Sequence, residues 1–214
     1  MEKLLILIPS YNDWSALELL LGIIEDFLFN NKLKSSIVII DDGSTIPLNE
    51  NLLLKEFQAI DSIDILKLRR NLGHQRAIAI GLSYVEAQMD QDLVIVMDAD
   101  GEDNPYEMDK LLAKYYQSEE PKIVFARRSK RSESQTFRFF YGIYRGIYRL
   151  LTGKEISFGN FSLIPRPILH QLVVVSEIWI HYASGAIKSR LPLTTVDIPR
   201  SRRLIGKSQM NFVS

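Results

Sequence analysis

Residues 92–105 read DLVIVMDADGEDNP. Leu93, Val94, Ile95, Val96 and Met97 form an unbroken apolar run with no polar alternation, the pattern of a strand covered on both faces. The run ends abruptly in Asp98-Ala99-Asp100-Gly101-Glu102. Asn104 then offers a helix N-cap and Pro105 a preset first helical position. Strand, acidic turn and helix follow one another within a few residues.

Working outward, the same unit recurs. Residues 4–8, 36–40, 63–68 and 122–126 are short runs rich in Ile, Val and Leu. Helical periodicity fills 14–29, 73–87 and 105–116, with a weaker pattern at 48–57. Such alternation predicts an α/β fold, Rossmann-like, with a mostly parallel sheet and helices on both faces. Ligands of such sheets bind beyond the carboxyl ends of the strands. The polar residues gather there: Pro9-Ser10-Tyr11-Asn12 after the first strand, Asp41-Asp42-Gly43-Ser44 after the second, and the Asp98–Glu102 turn after the fourth.

Asp41, Asp42, Asp98 and Asp100 at one rim of a sheet need a counter-charge, because buried anions are costly and raise one another's pKa. A divalent cation would supply it. Oxygen ligands without His or Cys favour Mg²⁺ or Mn²⁺ over zinc. Asp98 and Asp100, two residues apart, can reach one ion from a turn. An acidic turn can also simply cap the next helix, a role open to Asp42 and Ser44.

Composition bounds the rest. The 214 residues are 46% hydrophobic and 24% charged, enough for a sizeable core. There is no cysteine, which removes disulfides, thiolate metal sites and cysteine nucleophiles. The net charge is zero, yet residues 1–126 carry 22 acidic against 11 basic side chains and residues 127–214 carry 4 against 15. The basic part suits an anionic partner or the acidic part of its own fold. The apolar N-terminal run stops at Pro9, too short for a signal peptide. No stretch is long and apolar enough to span a bilayer.

IPSYND, IIDDGS and VMDADGEDNP, in this order and spacing, resemble the family 2 glycosyltransferases with the GT-A fold. Within them the likeness is greatest to polyprenyl-phosphate sugar synthases, the group of dolichol-phosphate mannose synthase and bactoprenol glucosyltransferases. The resemblance implies a hexosyltransferase that uses a UDP- or GDP-sugar. Residues 1–126 would be its nucleotide-sugar-binding half, and 127–214 the acceptor-side, membrane-facing half of the same domain. It assigns Pro9, Tyr11 and Asn12 to the nucleotide pocket and Asp41 to the base or ribose. Asp98 and Asp100 would serve the metal and the diphosphate, with Asp100 catalytic. Glu102 stands where a metal-assisting Gln is common. Arg69, Asn71, Leu72 and Gly73 would precede a helix beside the donor.

Beyond residue 126 the likeness is looser. Arg127 matches an arginine following the fifth strand that contacts the donor side, and Arg138 one that holds the acceptor phosphate. Asn160, in GNFSLIPR, stands where the family usually has Asp. Arg203, Lys207 and Ser208 match an R-x-x-G-x-S loop that clamps the donor diphosphate; guanidinium forks and a lysine point charge suit that group. The chain stops at Ser214, whereas many relatives continue into transmembrane helices, as a truncated or naturally short form would.

Residues 134–151 place Arg138, Arg145 and Arg149 on one narrow helical stripe, with Phe137, Phe140, Tyr141, Tyr144 and Tyr148 around the remainder. That is the composition of amphipathic helices lying in a membrane interface, although a helix packed on the sheet with its arginines in solvent reads similarly. Arg127, Arg128, Lys130 and Arg131 would add attraction to anionic headgroups. The expected location is the cytoplasmic face of the membrane, held peripherally.

The function expected is therefore sugar transfer to a polyprenyl phosphate. A second reading keeps the donor and uses a saccharide acceptor, with His181, in a predicted helix over 176–190, as base. A third is a non-catalytic nucleotide- or membrane-binding module. Nucleic acid is not an expected partner, since no aromatic-basic RNA module accompanies the basic loop. A dinucleotide oxidoreductase fails on the absence of G-x-G-x-x-G after the first strand.

Overall fold

The structure, a computed structural model, describes residues 2–48, 55–128, 158–199, 201 and 203–205. Its sheet comprises β1 (Leu4–Ser10), β2 (Ser35–Asp41), β3 (Ile60–Lys67), β4 (Leu93–Val96), β5 (Ile123–Arg128), β6 (Ser162–Pro165) and β7 (Leu193–Ile198). They lie in the order β3-β2-β1-β4-β6-β5-β7. β6 runs antiparallel to β4 and β5, and the remaining pairs are parallel. Among the described residues the α-helices are α1 (Trp14–Asn30), α2 (His74–Gln88), α3 (Met108–Tyr116), α4 (Arg166–Leu172) and α5 (Tyr182–Lys188).

The continuous apolar runs have the cause the sequence suggests. Successive side chains of a strand point to opposite faces. Leu4, Ile6 and Ile8 therefore join one core with Leu17, Leu20, Leu21 and Ile24 of α1 and Met108 and Leu111 of α3. Leu5 and Leu7 join the other, with Ala77, Ile78 and Leu82 of α2, Ile168 of α4 and Tyr182 of α5. All seven residues of β1 are buried. Glu25 ties the outer strand to this frame, its carboxylate accepting from the backbone N–H of Gln58, Ala59 and Ile60 at 2.7–3.2 Å.

Register brings the loops together. Ser10 pairs with Asp41 and Leu7 with Val96, so β1, β2 and β4 end side by side at one rim. β1 lies between β2 and β4, the place where the order of a doubly wound sheet reverses and a crevice opens. Strands from both sequence halves share the sheet, since β6 and β7 flank β5.

Some expectations shift. The element at 105–116 begins as a 3₁₀ turn, Pro105–Glu107, capped as expected by Asn104, whose Oδ1 accepts from the Tyr106 N–H at 3.1 Å. Residues 49–54 of the expected 48–57 helix lie outside the described residues, and 55–57 are not helical. The single helix expected over 176–190 is instead a 3₁₀ turn, Ser176–Trp179, an extended His181 (φ −158°, ψ 108°), and α5. Packing explains the break: the turn folds back so that a Cβ on Gly185 would meet the Ile178 backbone N at 2.5 Å. No helix among the described residues is long and apolar enough to cross a membrane.

Candidate donor-binding site

The loop after β1 is shaped by Asn12, which adopts a left-handed backbone (φ 54°) that asparagine tolerates better than most residues. Its Oδ1 accepts from the N–H groups of Thr45 and Ile46 at 2.9 and 3.0 Å, and its own N–H donates to Ser44 Oγ at 2.9 Å. Trp14 Nε1 donates to the Ile46 carbonyl at 2.9 Å. Asn12 thus staples the loop after β2 to the loop after β1. Pro9 is buried within β1 and Tyr11 is half-buried at the rim. Between them, Ser10 Oγ is buried without a hydrogen-bond partner among the described residues.

Asp41 and Asp42 are both buried. Asp41 Oδ1 accepts from the Ser44 N–H at 2.8 Å and tightens the turn. Asp42 reaches the other way: its oxygens accept from the N–H groups of Leu72 and Gly73 at 2.7 and 2.9 Å. Burial pushes the Asp42 carboxyl up, against the pull of those two N–H groups and of His74. Asp42 therefore fixes the approach to α2 and delivers His74, its first residue, to the rim.

The turn after β4 is the centre of the site. The Asp98 N–H donates to Oδ2 of the buried Asp103 at 3.1 Å, and the Glu102 N–H donates to Asp100 Oδ1 at 2.9 Å. Gly101 takes a left-handed φ of 78°. Asp98 and Asp100 remain partly open, with side chains 25% and 21% exposed.

Two basic groups face these acids. His74 Nε2 lies 3.0 Å from Asp98 Oδ1. Burial alone would lower the His74 pKa, but the hydrogen bond to Asp98 and the charges of Asp98, Asp100 and Asp103 outweigh it and raise the value above 6.5. Arg203 Nη1 donates to Asp100 Oδ2 at 3.0 Å, and its Nη2 donates to Asp13. Burial pushes both Asp13 and Asp100 up, with Arg203 opposing it. The backbone around Arg203 follows its side chain: the Leu204 N–H donates to the Asp100 carbonyl at 2.9 Å and the Ser201 N–H to the Glu102 carbonyl at 3.3 Å.

Of the residues singled out from sequence, Pro9 and Asp41 lie at the ends of β1 and β2, and Tyr11, Asn12, Asp98, Asp100, Glu102 and Arg203 lie on the loops of this rim. Arg127 lies inside β5 rather than after it, opposite Asp197 of β7. Its Nε and Nη2 donate to the two carboxylate oxygens of Asp197 at 2.5 and 2.9 Å. Arg138, Lys207, Ser208 and the 134–151 segment lie outside the described residues. His181 is exposed, and its Nδ1 accepts from the Ser184 N–H at 3.4 Å as the cap of α5. Asp13, His74 and Asp103 belong to the site without having been singled out. Asp13 and Asp103 carried a signal, standing inside the quoted IPSYND and VMDADGEDNP. His74 had only its place after Gly73.

The counter-charge expected of a metal alone is thus partly supplied by His74 and Arg203. Among the described residues no three His, Cys, Asp or Glu side chains converge as a metal cage. A cage is not what this chemistry requires, because Mg²⁺ commonly binds through one or two carboxylates and the substrate's phosphates. Asp98 and Asp100 are hard oxygen donors. Asp98 and Glu102 also raise the Asp100 carboxyl by repulsion, which a divalent cation would relieve. The residues present fit such an ion.

This sheet order, with an acidic turn beyond the strand ends at the reversal point, is that of a doubly wound α/β domain with its crevice at that rim. Glycosyl transferase family 2 matches residues 5–173, and the chain belongs to that family. It is 27% identical over 95% of its length to an uncharacterized glycosyltransferase, YkcC, of Bacillus subtilis (strain 168), covering 62% of that protein. It is 28% identical over 99% of its length to the undecaprenyl-phosphate 4-deoxy-4-formamido-L-arabinose transferase of Salmonella choleraesuis (strain SC-B67), covering 64% of it. The chain thus spans less than two thirds of the length of these curated relatives. Among solved structures it is similar to glucosyl-3-phosphoglycerate synthase of Mycobacterium tuberculosis in complex with Mn²⁺, UDP and glucosyl-3-phosphoglycerate. The TM-score is 0.60 at 13% identity, over 96% of this chain and 73% of that one. The same enzyme with Mg²⁺ and UDP gives a TM-score of 0.59. At such identity the likeness shows the GT-A fold.

Proposed function

We propose that this chain transfers a sugar from a UDP- or GDP-sugar to a polyprenyl phosphate, assisted by Mg²⁺ or Mn²⁺. The observation that carries the reading is the Asp98–Asp100 turn at the carboxyl rim, faced by Arg203 and His74. The donor's diphosphate belongs against this turn. Asp98 and Asp100, with Glu102 beside them, would hold the ion, which when bound acts as a Lewis acid on the departing nucleoside diphosphate. Pro9, Tyr11 and Asp41 line the nucleotide side, and Asn12 keeps the two loops of that side in register. Arg203 lies within reach of the same space and, with Lys207 and Ser208, would neutralise charge on the leaving group.

The acceptor rests on the names of the relatives and on the sequence. A phosphate oxygen is already anionic, so positioning and charge neutralisation dominate over proton abstraction. Arg138 would hold the acceptor phosphate, Arg127 would stand beside the donor, and residues 134–151 would rest on the cytoplasmic membrane surface.

The test has two arms. Nucleotide-sugars are screened for Mn²⁺-dependent thermal stabilisation, a ligand at 100 times its Kd adding about 2.7 kcal/mol. Transfer to a short-chain, water-soluble polyprenyl phosphate is then assayed for the wild type and Asp100→Ala. Transfer abolished in a folded variant supports the mechanism, and unchanged turnover overturns it. A product formed only on a saccharide acceptor would overturn the lipid assignment.

A further inference from the structure

Asn160 occupies a position for which the family resemblance leads one to expect a carboxylate, and it lies against Asp98. Its Nδ2 is 3.5 Å from Asp98 Oδ1 and 3.0 Å from His74 Nε2. His74 Nε2 is in turn 3.0 Å from the same Asp98 oxygen. We infer that His74 is the positioning residue of Asp98, and that the amide of Asn160 is its neutral companion at the same Asp98 oxygen. The inference rests on Asp98 being a donor-site residue, as proposed above.

The arrangement is held from behind. Asn160 Oδ1 accepts from Gln75 Nε2 at 3.3 Å, and Gln75 Oε1 accepts from the Tyr182 N–H at 2.6 Å. The buried Tyr182 hydroxyl lies 2.7 Å from Ser162 Oγ, and Ser162 Oγ donates to the Asn160 carbonyl at 2.9 Å. The start of α2, the approach to β6 and the start of α5 therefore fix one amide and one imidazole, which together fix one oxygen of Asp98. On the other side Asp42 anchors Leu72 and Gly73, so His74 cannot drift along the rim. Partners that orient a ligating side chain in this way are worth about 10–100-fold in metal affinity or activity in known metal sites.

The amide at 160 has an electrostatic reason. A carboxylate there would face Asp98 across 3.5 Å and compete for the His74 N–H. Two close carboxylates each disfavour the other's ionisation. An amide donates to Asp98 and places no second negative charge beside it.

The test uses Asp98→Asn, His74→Ala, His74→Gln and Asn160→Asp. Mn²⁺ affinity in the presence of UDP or GDP is read from the electron paramagnetic resonance signal of free Mn²⁺, and kcat and KM for the donor are measured alongside. His74→Ala is expected to weaken Mn²⁺ binding by about 10–100-fold. His74→Gln, which keeps a donor, should recover most of that loss, and Asn160→Asp should weaken binding by about tenfold. Wild-type Mn²⁺ affinity in either His74→Ala or Asn160→Asp, with binding lost in Asp98→Asn, overturns the inference and leaves the donor reading standing. Unchanged Mn²⁺–nucleotide binding in Asp98→Asn overturns the donor reading itself. If His74→Ala does not fold, Asn160→Asp alone decides.

Discussion

Arg203 bridges Asp100 and Asp13: one guanidinium nitrogen lies 3.0 Å from Asp100 Oδ2 while the other donates to Asp13. A residue 103 positions away in sequence from Asp100 thereby stands as a cation beside the acidic turn. All three side chains are only about one fifth exposed, at 19%, 20% and 21%.

Removing that cation leaves two carboxylates facing each other. Breaking a well-buried pair from one side costs about 3–5 kcal/mol. Partial exposure reduces this, and Arg203→Ala is expected to lose about 1–2 kcal/mol in urea unfolding. Mg²⁺ or Mn²⁺ without nucleotide should then raise the melting temperature of Arg203→Ala more than that of the wild type, since the ion replaces the missing charge. An equal or smaller metal response would show that Arg203 and the ion do not share Asp100.

Gly101 tests the contact between the turn and the 203–205 segment. A Cβ built there would meet Leu204 Cγ at 2.4 Å, at a backbone φ of 78° that side chains rarely adopt. Gly101→Ala should push Leu204 and Arg203 off the turn and cost about 1–2 kcal/mol of stability. Donor affinity, measured by calorimetry, should fall by more than that loss explains. Unaltered affinity would separate the 203–205 segment from donor binding.

Asp42 has a structural task that its neighbour Asp41 does not share. It accepts two backbone N–H groups ahead of α2. Hydrogen bonds to a charged group are each worth about 1.5–3 kcal/mol, so Asp42→Ala is expected to lose about 2–4 kcal/mol in denaturant unfolding. Amide exchange should quicken at Leu72 and Gly73 first. A loss below about 0.5 kcal/mol would mean that the loop is held by something else.

His74 should make stability depend on pH in one direction. Its pKa is raised above 6.5 in the folded protein, despite burial, by Asp98, Asp100 and Asp103. The folded state therefore binds the proton more tightly than the unfolded chain. That stabilisation is complete below the unfolded value and is lost as pH rises through the folded one. The stability difference between wild type and His74→Gln should be largest below about pH 6.5, the unfolded reference value, and shrink as pH rises through the folded value. A difference that grows with pH would contradict the ion pair.

Local pattern made much of this legible. The apolar runs around Leu7, Val38 and Ile95 are buried on both faces, and that alone calls for helices on both sides. The acidic residues after β2 and β4 stand where a parallel sheet opens, because strand direction sets which end carries the crevice. Asn104-Pro105 named its own helix start, since capping is a contact within three residues.

What short-range pattern cannot encode is which distant group completes a charge. Asp98 and Asp100 were visible as a pair, but their partners come from α2, from the approach to β6 and from Arg203 beyond β7. The split at His181 was equally invisible, because a periodic stretch reads as one helix until packing folds it back at Gly185. The amino-acid order determined the strands, the layers and the rim at which the acids gather, all consequences of side-chain burial and strand direction. Only the tertiary structure decided that Asn12 staples two loops, that Asp42 serves the backbone, and that His74 and Arg203 hold Asp98 and Asp100, because hydrogen bonds and ion pairs act over a few ångströms of space whatever the separation along the chain.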